Sequence, residues 1–305
     1  MTRVLRRIWL FIRLTRPLFL VGGALLYGLG VAIAHYLGLR IDPTRYLLGQ
    51  GLVLCIQLMA NYLNEYFDAA GDQENLNRTP LSGGSGVLGG DSLKPQVALY
   101  AAIASLALAA SLCTALLTLG ETSLITWLIL ILSFLGAFTY STPPLRLVAS
   151  GLGELIVSIL VAVLVPTFAF TLQAGEVHAL LAVSSMPLVA LHMAMLITLE
   201  FPDYNADRTS GKRTMMVRLG WRMAMRIHDF AIGIATISVL IGLWMGLPTR
   251  IAISMAITIP LAAAQIWQMS RIRRGFPPHW RMLTVGGAAL FILAVYFELI
   301  GFLLS

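Results

Sequence analysis

Carboxylate side chains are concentrated in two short segments of the chain. Seven of the 14 acidic residues lie there, namely Glu65, Asp68, Asp72, Glu74, Glu200, Asp203 and Asp207. A carboxylate near hydrocarbon is costly unless it is paired or coordinates a cation, and two such clusters repel each other unless a cation lies between them. Carboxylate oxygens suit Mg²⁺, which usually takes one or two carboxylates and fills its other positions with waters and phosphate oxygens. The two segments therefore point to a metal site.

Helical spacing narrows the first segment to a stripe. Its polar residues advance by four, three, four and four positions, in the order Gln57, Asn61, Asn64, Asp68 and Asp72. At 3.6 residues per turn these side chains share one face of a helix. Glu65 falls off the stripe and is predicted to be a loop-side or interfacial charge.

The second segment, TLEFPDYNADRTSGKRT, also places its acids on one helical face. His192, Asp203, Asp207 and, more loosely, Glu200 share that face. Pro202 removes a backbone donor and can kink or end the helix between His192 and Asp203, and a kink there would turn the two residues away from a common face.

Basic residues follow both acidic segments, in the set Arg78, Arg208, Lys212 and Arg213. Such side chains are the donors that a polyphosphate needs. Acids for a metal and bases for phosphate predict a Mg²⁺–diphosphate site. The alternative is solvation of helix ends with salt bridges among these charges. A single D-x-x-x-D would favour that alternative, but two such motifs with basic tails favour the metal site.

The elements that carry these motifs are predicted to be membrane-spanning helices. The chain is 58% hydrophobic and only 11% charged, against about 25% charged in a soluble domain, and its mean hydropathy is +0.83. Spans of roughly 20 apolar residues are predicted at 18–36, 47–68, 96–118, 122–140, 152–173, 178–200, 224–246, 249–269 and 283–304. Residues 1–305 are predicted to form one all-α integral membrane domain, with motif loops at 71–95 and 203–223.

Loop charge predicts the orientation of these spans. With the N-terminus in the cytoplasm, 18 of the 21 Lys and Arg residues lie on that side, and only Arg40, Arg45 and Arg250 lie on the other. This asymmetry follows the positive-inside rule and places both acidic motifs at the cytoplasmic face. We expect the protein in the cell (plasma) membrane. The basic residues are scattered over helix ends, so we expect no nucleic-acid partner.

At its motifs the chain resembles the UbiA superfamily of intramembrane prenyltransferases. Asn64-Glu-Tyr-Phe-Asp68-Ala-Ala-Gly-Asp72 looks like the first aspartate-rich motif of that superfamily, and Asp203-Tyr-Asn-Ala-Asp207 with Gly211-Lys212-Arg213-Thr214 looks like the second. Arg16-Pro17 and Tyr140…Pro143-Pro144-Leu145-Arg146 resemble further landmarks. The resemblance implies a nine-helix bundle around a central cavity that opens sideways to the lipid bilayer.

The resemblance also implies Mg²⁺-dependent transfer of a prenyl group from a polyprenyl diphosphate to an acceptor, usually aromatic. The metal-bridging and catalytic roles that it implies fall on Asn64, Asp68, Asp72, Asp203 and Asp207. Diphosphate contacts fall on Arg16, Arg146 and Lys212, and the basic residue after motif one, Arg78, is added to them. The segments R-T-P-L-S-G-G-S-G, E-F-P-D-Y and G-K-R-T look most like the menaquinone-type branch, whose acceptor is 1,4-dihydroxy-2-naphthoate.

Several alternatives stay open at this level. Other acceptors of the superfamily are 4-hydroxybenzoate, homogentisate, chlorophyllide and a glyceryl lipid. An ion-coupled transporter would place charges near mid-span, and a CDP-alcohol phosphotransferase would need a D-G-x-x-A-R that is missing here. Tyr140 and His192 are candidates for substrate contact, with an interfacial tyrosine and a satisfied interhelical histidine as the ordinary explanations.

A further motif, Gly84-Ser-Gly86-Val-Leu-Gly89, spells G-x-G-x-x-G. A dinucleotide-binding interpretation requires a preceding strand and a βαβ unit, and the sequence predicts neither. The segment is predicted to be either a lid over the diphosphate site or a plain linker.

Overall fold

The computed structural model describes residues 3–89, 92–120 and 122–305, and within these residues every regular element is a helix. The first six helices are α1 Arg3–Leu14, α2 Pro17–Tyr36, α3 Pro43–Gln73, α4 Pro95–Thr118, α5 Leu124–Ser141 and α6 Gly153–Ile159. The others are α7 Val165–Ala174, α8 Ala179–Thr209, α9 Met215–Trp244, α10 Thr249–Ala256, α11 Ile259–Arg273 and α12 Trp280–Leu303.

The predicted spans are confirmed as long apolar helices. In the described part of the chain, eight spans are long and apolar enough to cross a membrane, counting Gly153–Ala174 as one, and the α10–α11 pair makes a ninth if it is one bent span. The chain is therefore an integral membrane protein with an all-helical fold. α1 is an additional helix that the span analysis did not predict.

Proline and capping residues set several helix starts. Pro17, Pro43 and Pro95 stand at the first turns of α2, α3 and α4, where a missing N–H costs no hydrogen bond. The Asp42 side chain caps α3 by accepting from the Thr44 and Arg45 N–H groups at 2.7 and 3.2 Å.

Two internal irregularities are explained by proline. Residues Leu160–Leu164 form a π-helical turn between α6 and α7, directly before Pro166, which cannot donate to the preceding turn. α10 and α11 meet at an angle of 44°, just before Pro260. The helical path continues through the first of these places and changes direction at the second.

The central helix of the bundle is α8. Of its apolar window 72% is buried, against 22–56% for the other spans. It packs against α6, α9 and α12, and the largest cluster of buried apolar residues lies among α2, α8, α9, α10 and α12. Because α8 also carries the second acidic segment, that segment is fixed by the core of the bundle.

The second motif lies on a helix and not in the predicted loop 203–223. α8 continues through Pro202 to Thr209, and α9 begins at Met215, so the connection spans only residues 210–214. Proline is tolerated inside a membrane helix because neighbouring helices satisfy the freed backbone groups. The first predicted loop, 71–95, overlaps the ends of both neighbouring helices, since α3 ends at Gln73 and α4 begins at Pro95.

Candidate active site

A cavity of about 480 Å³ lies inside the bundle and holds both acidic motifs. Its polar end is lined by side chains from α3, α8 and the connections after them. The remaining wall is apolar and includes Val53, Ile56, Leu130, Val161, Val165, Phe168, Met195, Leu196, Leu199, Phe291 and Ile292. A charged headgroup with a hydrocarbon tail has the polarity that such a cavity requires.

The predicted stripe on α3 faces this cavity along its whole length. All five of its residues, Gln57, Asn61, Asn64, Asp68 and Asp72, line the wall. The amide of Asn64 donates to the Asp68 carboxylate at 3.0 Å and approaches the Ser141 hydroxyl at 3.2 Å. Asn64 therefore holds Oδ2 of the Asp68 carboxylate from one side.

Asp68 is the point where two cations converge. Arg146 donates to its Oδ1 at 2.7 Å and Lys212 donates to its Oδ2 at 2.8 Å. These cations come from the connection after α5 and the connection after α8, so one carboxylate joins three separate elements. Sequence spacing places Asp68 on the correct face but gives no indication of these partners.

Lys212 is held in its charged form by the carboxylates around it. Its Nζ lies 3.8 Å from Asp207 in addition to its contact with Asp68. Burial by itself lowers the pKa of a lysine, but the attraction of Asp68 and Asp207 outweighs burial and raises the pKa of Lys212 above its ordinary value. The ammonium group is thus a permanent positive charge at the polar end of the cavity.

The second motif faces the first across the cavity. Asp203 accepts from the Asn75 amide at 2.7 Å and from the Gly83 N–H at 3.0 Å. Asp207 lies beside Lys212, and Asp72 interacts electrostatically with Asp68 and Asp203. The four aspartates therefore share one electrostatic environment although they are far apart along the chain.

Residues 79–89, which we call the glycine loop, form part of the cavity wall. Gly83, Gly84, Gly86 and Gly89 all have positive φ, which glycine adopts without steric cost. A Cβ atom at Gly84 would overlap the Asp72 carboxylate. The loop approaches the acids this closely because these positions lack side chains. It contacts the site at several points and is therefore part of the cavity wall, while its action as a lid stays a prediction.

Glu65 was predicted to be a loop-side or interfacial charge, and it does face a loop, but as a buried carboxylate. Its side chain is 2% exposed. It accepts from the Ser85 N–H at 2.7 Å and from the Ser85 hydroxyl at 2.6 Å, and it lies 3.8 Å from Arg16. Glu65 lies on the face of α3 next to the stripe, and from there its carboxylate anchors the glycine loop.

This anchor leads to a prediction about the loop. Replacing Glu65 with alanine removes two hydrogen bonds of about 1 kcal/mol or more each, so residues 79–89 should exchange amide hydrogens about 10-fold faster or more. Hydrogen–deuterium exchange of the detergent-solubilised protein measures this rate. Glu74→Ala, at an exposed position of the same helix end, is the control, and unchanged exchange in Glu65→Ala would show that the loop is held by other contacts.

Two of the predicted phosphate-binding arginines share an unusual backbone conformation. Arg16 and Arg146 have φ values of 52° and 40°, and they are the non-glycine residues with positive φ in the described part of the chain. Such conformations are held by surrounding structure and concentrate at functional sites. Arg16 lines the cavity, donates to the Leu81 carbonyl at 3.0 Å and lies over the Phe19 ring at 4.5 Å.

Arg78, a predicted diphosphate ligand, occupies a different place. It is exposed, it is absent from the cavity lining, and its guanidinium donates to the backbone carbonyl of Asp72. Arg78 therefore supports the end of α3 and the glycine loop from outside. The position of Arg78 in the sequence, between the two motifs, does not show whether its side chain enters the cavity or lies outside it.

Tyr140 and His192, the predicted substrate contacts, both line the cavity. His192 is buried, its Nδ1 lies 2.9 Å from the Ser158 hydroxyl, and its ring packs edge-on against Phe291 at 4.7 Å. It is thus a hydrogen-bonded interhelical histidine that also forms part of the wall.

A buried acid pair in the same region escaped the sequence analysis. Glu154 is 3% exposed and accepts from the Met215 N–H at 2.9 Å, and its carboxyl group lies close enough to interact electrostatically with Glu200, which lines the cavity. One oxygen of each carboxyl group has no other partner in the described residues. The loose placement of Glu200 on the second motif face was the only signal for it.

The donor set fits a magnesium ion that is shared with a ligand. Within residues 3–89, 92–120 and 122–305 no three or more His, Cys, Asp or Glu side chains converge tightly enough to enclose a metal by themselves. Mg²⁺, however, is usually held by one or two carboxylates plus phosphate oxygens and waters. Asp72 forms no ion pair among the described residues, so its carboxylate is available for such a role.

Comparisons with known proteins agree with this geometry. The chain matches the model of the UbiA prenyltransferase family over residues 24–292. It is 23% identical over 228 residues to the 1,4-dihydroxy-2-naphthoate octaprenyltransferase of Bacillus subtilis strain 168, covering 74% of this chain and 70% of that protein. The enzyme of the same name from Escherichia coli K12 is 31% identical over 205 residues, or 65% of each chain.

Solved structures share the fold. A UbiA homolog from Archaeoglobus fulgidus, bound to DMAPP and Mg²⁺, superposes with a TM-score of 0.62 at 20% identity, over 95% of this chain and 99% of that one. The apo structure of a homolog from Aeropyrum pernix K1 gives 0.64 at 14% identity, over 94% and 97%. At these identities the likeness establishes the fold.

Proposed function

Because the chain belongs to the UbiA prenyltransferase family and is therefore a prenyltransferase, we propose that it transfers a prenyl group from a polyprenyl diphosphate to an aromatic acceptor in a Mg²⁺-dependent reaction. The acceptor that we propose is 1,4-dihydroxy-2-naphthoate, as in menaquinone biosynthesis. Both curated relatives are named as prenyltransferases of that acceptor.

One observation carries the proposal. Four aspartates from two helices and Lys212 line one end of a cavity whose remaining wall is apolar, and Arg146, which does not itself line the cavity, contacts Asp68 there. A transporter would require ionisable groups along a path through the membrane, whereas these acids are gathered at one end beside phosphate-type cations. The polarity of the cavity matches a diphosphate with a hydrocarbon tail.

In this proposal Asn64, Asp68, Asp72, Asp203 and Asp207 hold the magnesium. When bound, the metal supplies positive charge that neutralises the diphosphate as it becomes the leaving group. Arg16, Arg146 and Lys212 contribute further positive charge to the diphosphate oxygens. Arg146 and Lys212 already contact Asp68, so the site has cations placed where a diphosphate would need them before any ligand arrives.

The apolar wall has two roles in the proposal. It binds the hydrocarbon tail by the hydrophobic effect, and it excludes water from the allylic carbon, which would otherwise be hydrolysed as the bond to the diphosphate breaks. An electron-rich ring carbon of the acceptor attacks that carbon, and with a naphthoate acceptor the ring loses its carboxylate as CO₂. Tyr140 and His192 line the same cavity and are proposed to contact the substrates.

We further propose that residues 1–305 act as one domain in the plasma membrane with the site on the cytoplasmic side. The asymmetry of the basic residues supports this orientation. It follows that both substrates enter from the cytoplasm or from the lipid beside it.

The proposal is tested with purified protein in lipid nanodiscs, supplied with a panel of prenyl diphosphates and aromatic acceptors. We expect a prenylated product from 1,4-dihydroxy-2-naphthoate, loss of product with EDTA, and recovery with added Mg²⁺. Product from another acceptor alone would contradict the naphthoate assignment and leave the prenyltransferase assignment intact. Undiminished transfer in EDTA would contradict the metal site.

A further inference from the structure

α1 is packed against the bundle along one side only. Leu10 and Leu14 are buried, at 8% and 0% exposure, and pack with Met59, Tyr62, Leu63, Val87, Ala98 and Ala102. On the opposite side Val4, Ile8 and Ile12 repeat at intervals of four residues, and they are 65%, 52% and 52% exposed. The bundle thus covers one side of α1 and leaves an apolar side uncovered.

The charge of α1 has no counterpart in the chain nearby. Arg3, Arg6, Arg7 and Arg13 lie on this helix, and no acidic residue precedes Asp42. Among the described residues Arg3, Arg6 and Arg7 are exposed and form no ion pair. Arg13 alone has a close contact, since it donates to the Ser85 carbonyl at 3.0 Å. Three exposed arginines are therefore available to anions outside the protein.

The position of α1 indicates the source of those anions. Only two residues separate the end of α1 from Pro17, where α2, the first membrane span, begins, so α1 is held at the edge of the membrane. Leu18 and Val21, at the start of that span, are 57% and 48% exposed and continue the uncovered apolar surface. A basic amphipathic helix at this level has the chemistry of a helix that lies in the lipid interface.

We propose that α1 is a binding surface for anionic phospholipid headgroups. Its uncovered apolar side lies at the boundary between headgroups and acyl chains, and Arg3, Arg6 and Arg7 contact the lipid phosphates. α1 lies outside the region that matches the family, residues 24–292, and the proposal does not depend on the acceptor or on the metal site. A soluble acidic protein is the competing occupant, but it would leave the apolar side in water.

Lipid selectivity tests the charged side. Protein reconstituted in phosphatidylcholine vesicles is probed with spin-labelled phosphatidylglycerol and spin-labelled phosphatidylcholine, and the ratio of the two association constants is measured. We expect the variant R3Q/R6Q/R7Q to lose at least about threefold in this ratio. The control R222Q/R226Q/R281Q removes the same charge from exposed positions of α9 and α12. An unchanged ratio in the α1 variant, or an equal loss in the control, would overturn the proposal.

The depth of the helix tests the apolar side. Nitroxide labels at Ile8→Cys and, separately, Arg6→Cys are introduced in a Cys55→Ala, Cys113→Ala background. Power saturation should show the label at residue 8 relaxed by oxygen more than by a water-soluble nickel chelate, and the label at residue 6 the reverse. A label at residue 8 that is fully open to the nickel chelate would refute the interfacial placement.

Discussion

Replacing Asp72 with asparagine is expected to lower prenyl transfer by at least about 100-fold without lowering the stability of the fold. Asp72 forms no ion pair among the described residues; burial and the charges of Asp68, Glu65 and Asp203 oppose its charge, and Lys212 attracts it without forming a contact. Removing that charge relieves repulsion, so the melting temperature should stay constant or rise. Loss of activity without loss of stability is expected where a charged residue destabilises the empty site but is needed to bind the ligand.

Asp68 provides the contrast to Asp72. Its carboxylate neutralises Arg146 and Lys212, so Asp68→Asn leaves two cations without their shared partner and should lose both activity and stability. Melting curves in detergent and initial rates with the prenyl diphosphate separate the two effects. Glu74→Gln, exposed at the same end of α3, should match the wild type in both. Full activity of Asp72→Asn would exclude this residue from the metal site.

Lys212→Met is expected to lower activity by about 100-fold and to destabilise the protein by about 1–3 kcal/mol. The change removes the charge that lies between Asp68 and Asp207 and leaves their mutual repulsion uncompensated. Arg213→Met, the exposed neighbour, is the matched control for the loss of one positive charge near the site. Wild-type rates in Lys212→Met would remove this lysine from the diphosphate site.

The stabilisation that Lys212 contributes to the fold should depend on pH in a defined direction. The folded protein raises the pKa of Lys212, so the stabilisation is fully present below the pKa of lysine in the unfolded chain, about 10.4. It is lost only as the pH rises through the still higher folded value. The stability difference between wild type and Lys212→Met should therefore not decrease between about pH 7 and about pH 9. A decrease over this interval would mean that the lysine loses its proton there.

Helix periodicity correctly predicted which polar residues of α3 line the cavity. The stripe from Gln57 to Asp72 lines the cavity as a unit, because all five residues lie on one helix whose geometry is independent of its neighbours. Asp203 and Asp207 also line the cavity, as their spacing predicted, because α8 continues as a helix beyond Pro202. Periodicity is reliable here since the bilayer requires the backbone to be helical.

Contacts between distant segments were not accessible in this way. In the sequence Glu65 and Arg78 are charged residues among other charged residues, and nothing marks their placement. In the structure Glu65 is buried against the glycine loop, and Arg78 lies outside the cavity. Their placement depends on how the 74–94 connection folds back over α3. A non-helical connection has no periodicity from which its contacts could be inferred.

The sequence by itself determined that this protein is a membrane-embedded helical bundle with two facing acidic motifs, and its motifs indicated the family. These conclusions depend on hydropathy, helical spacing and the count of basic residues, which are local properties of the chain. Only the tertiary structure decided that Asp68 joins Arg146 and Lys212, that Asp72 remains without an ion pair, and that Glu65 anchors the glycine loop. Pairing of charges depends on distances across the bundle, and those distances are set by helix packing and by connections that no local pattern encodes.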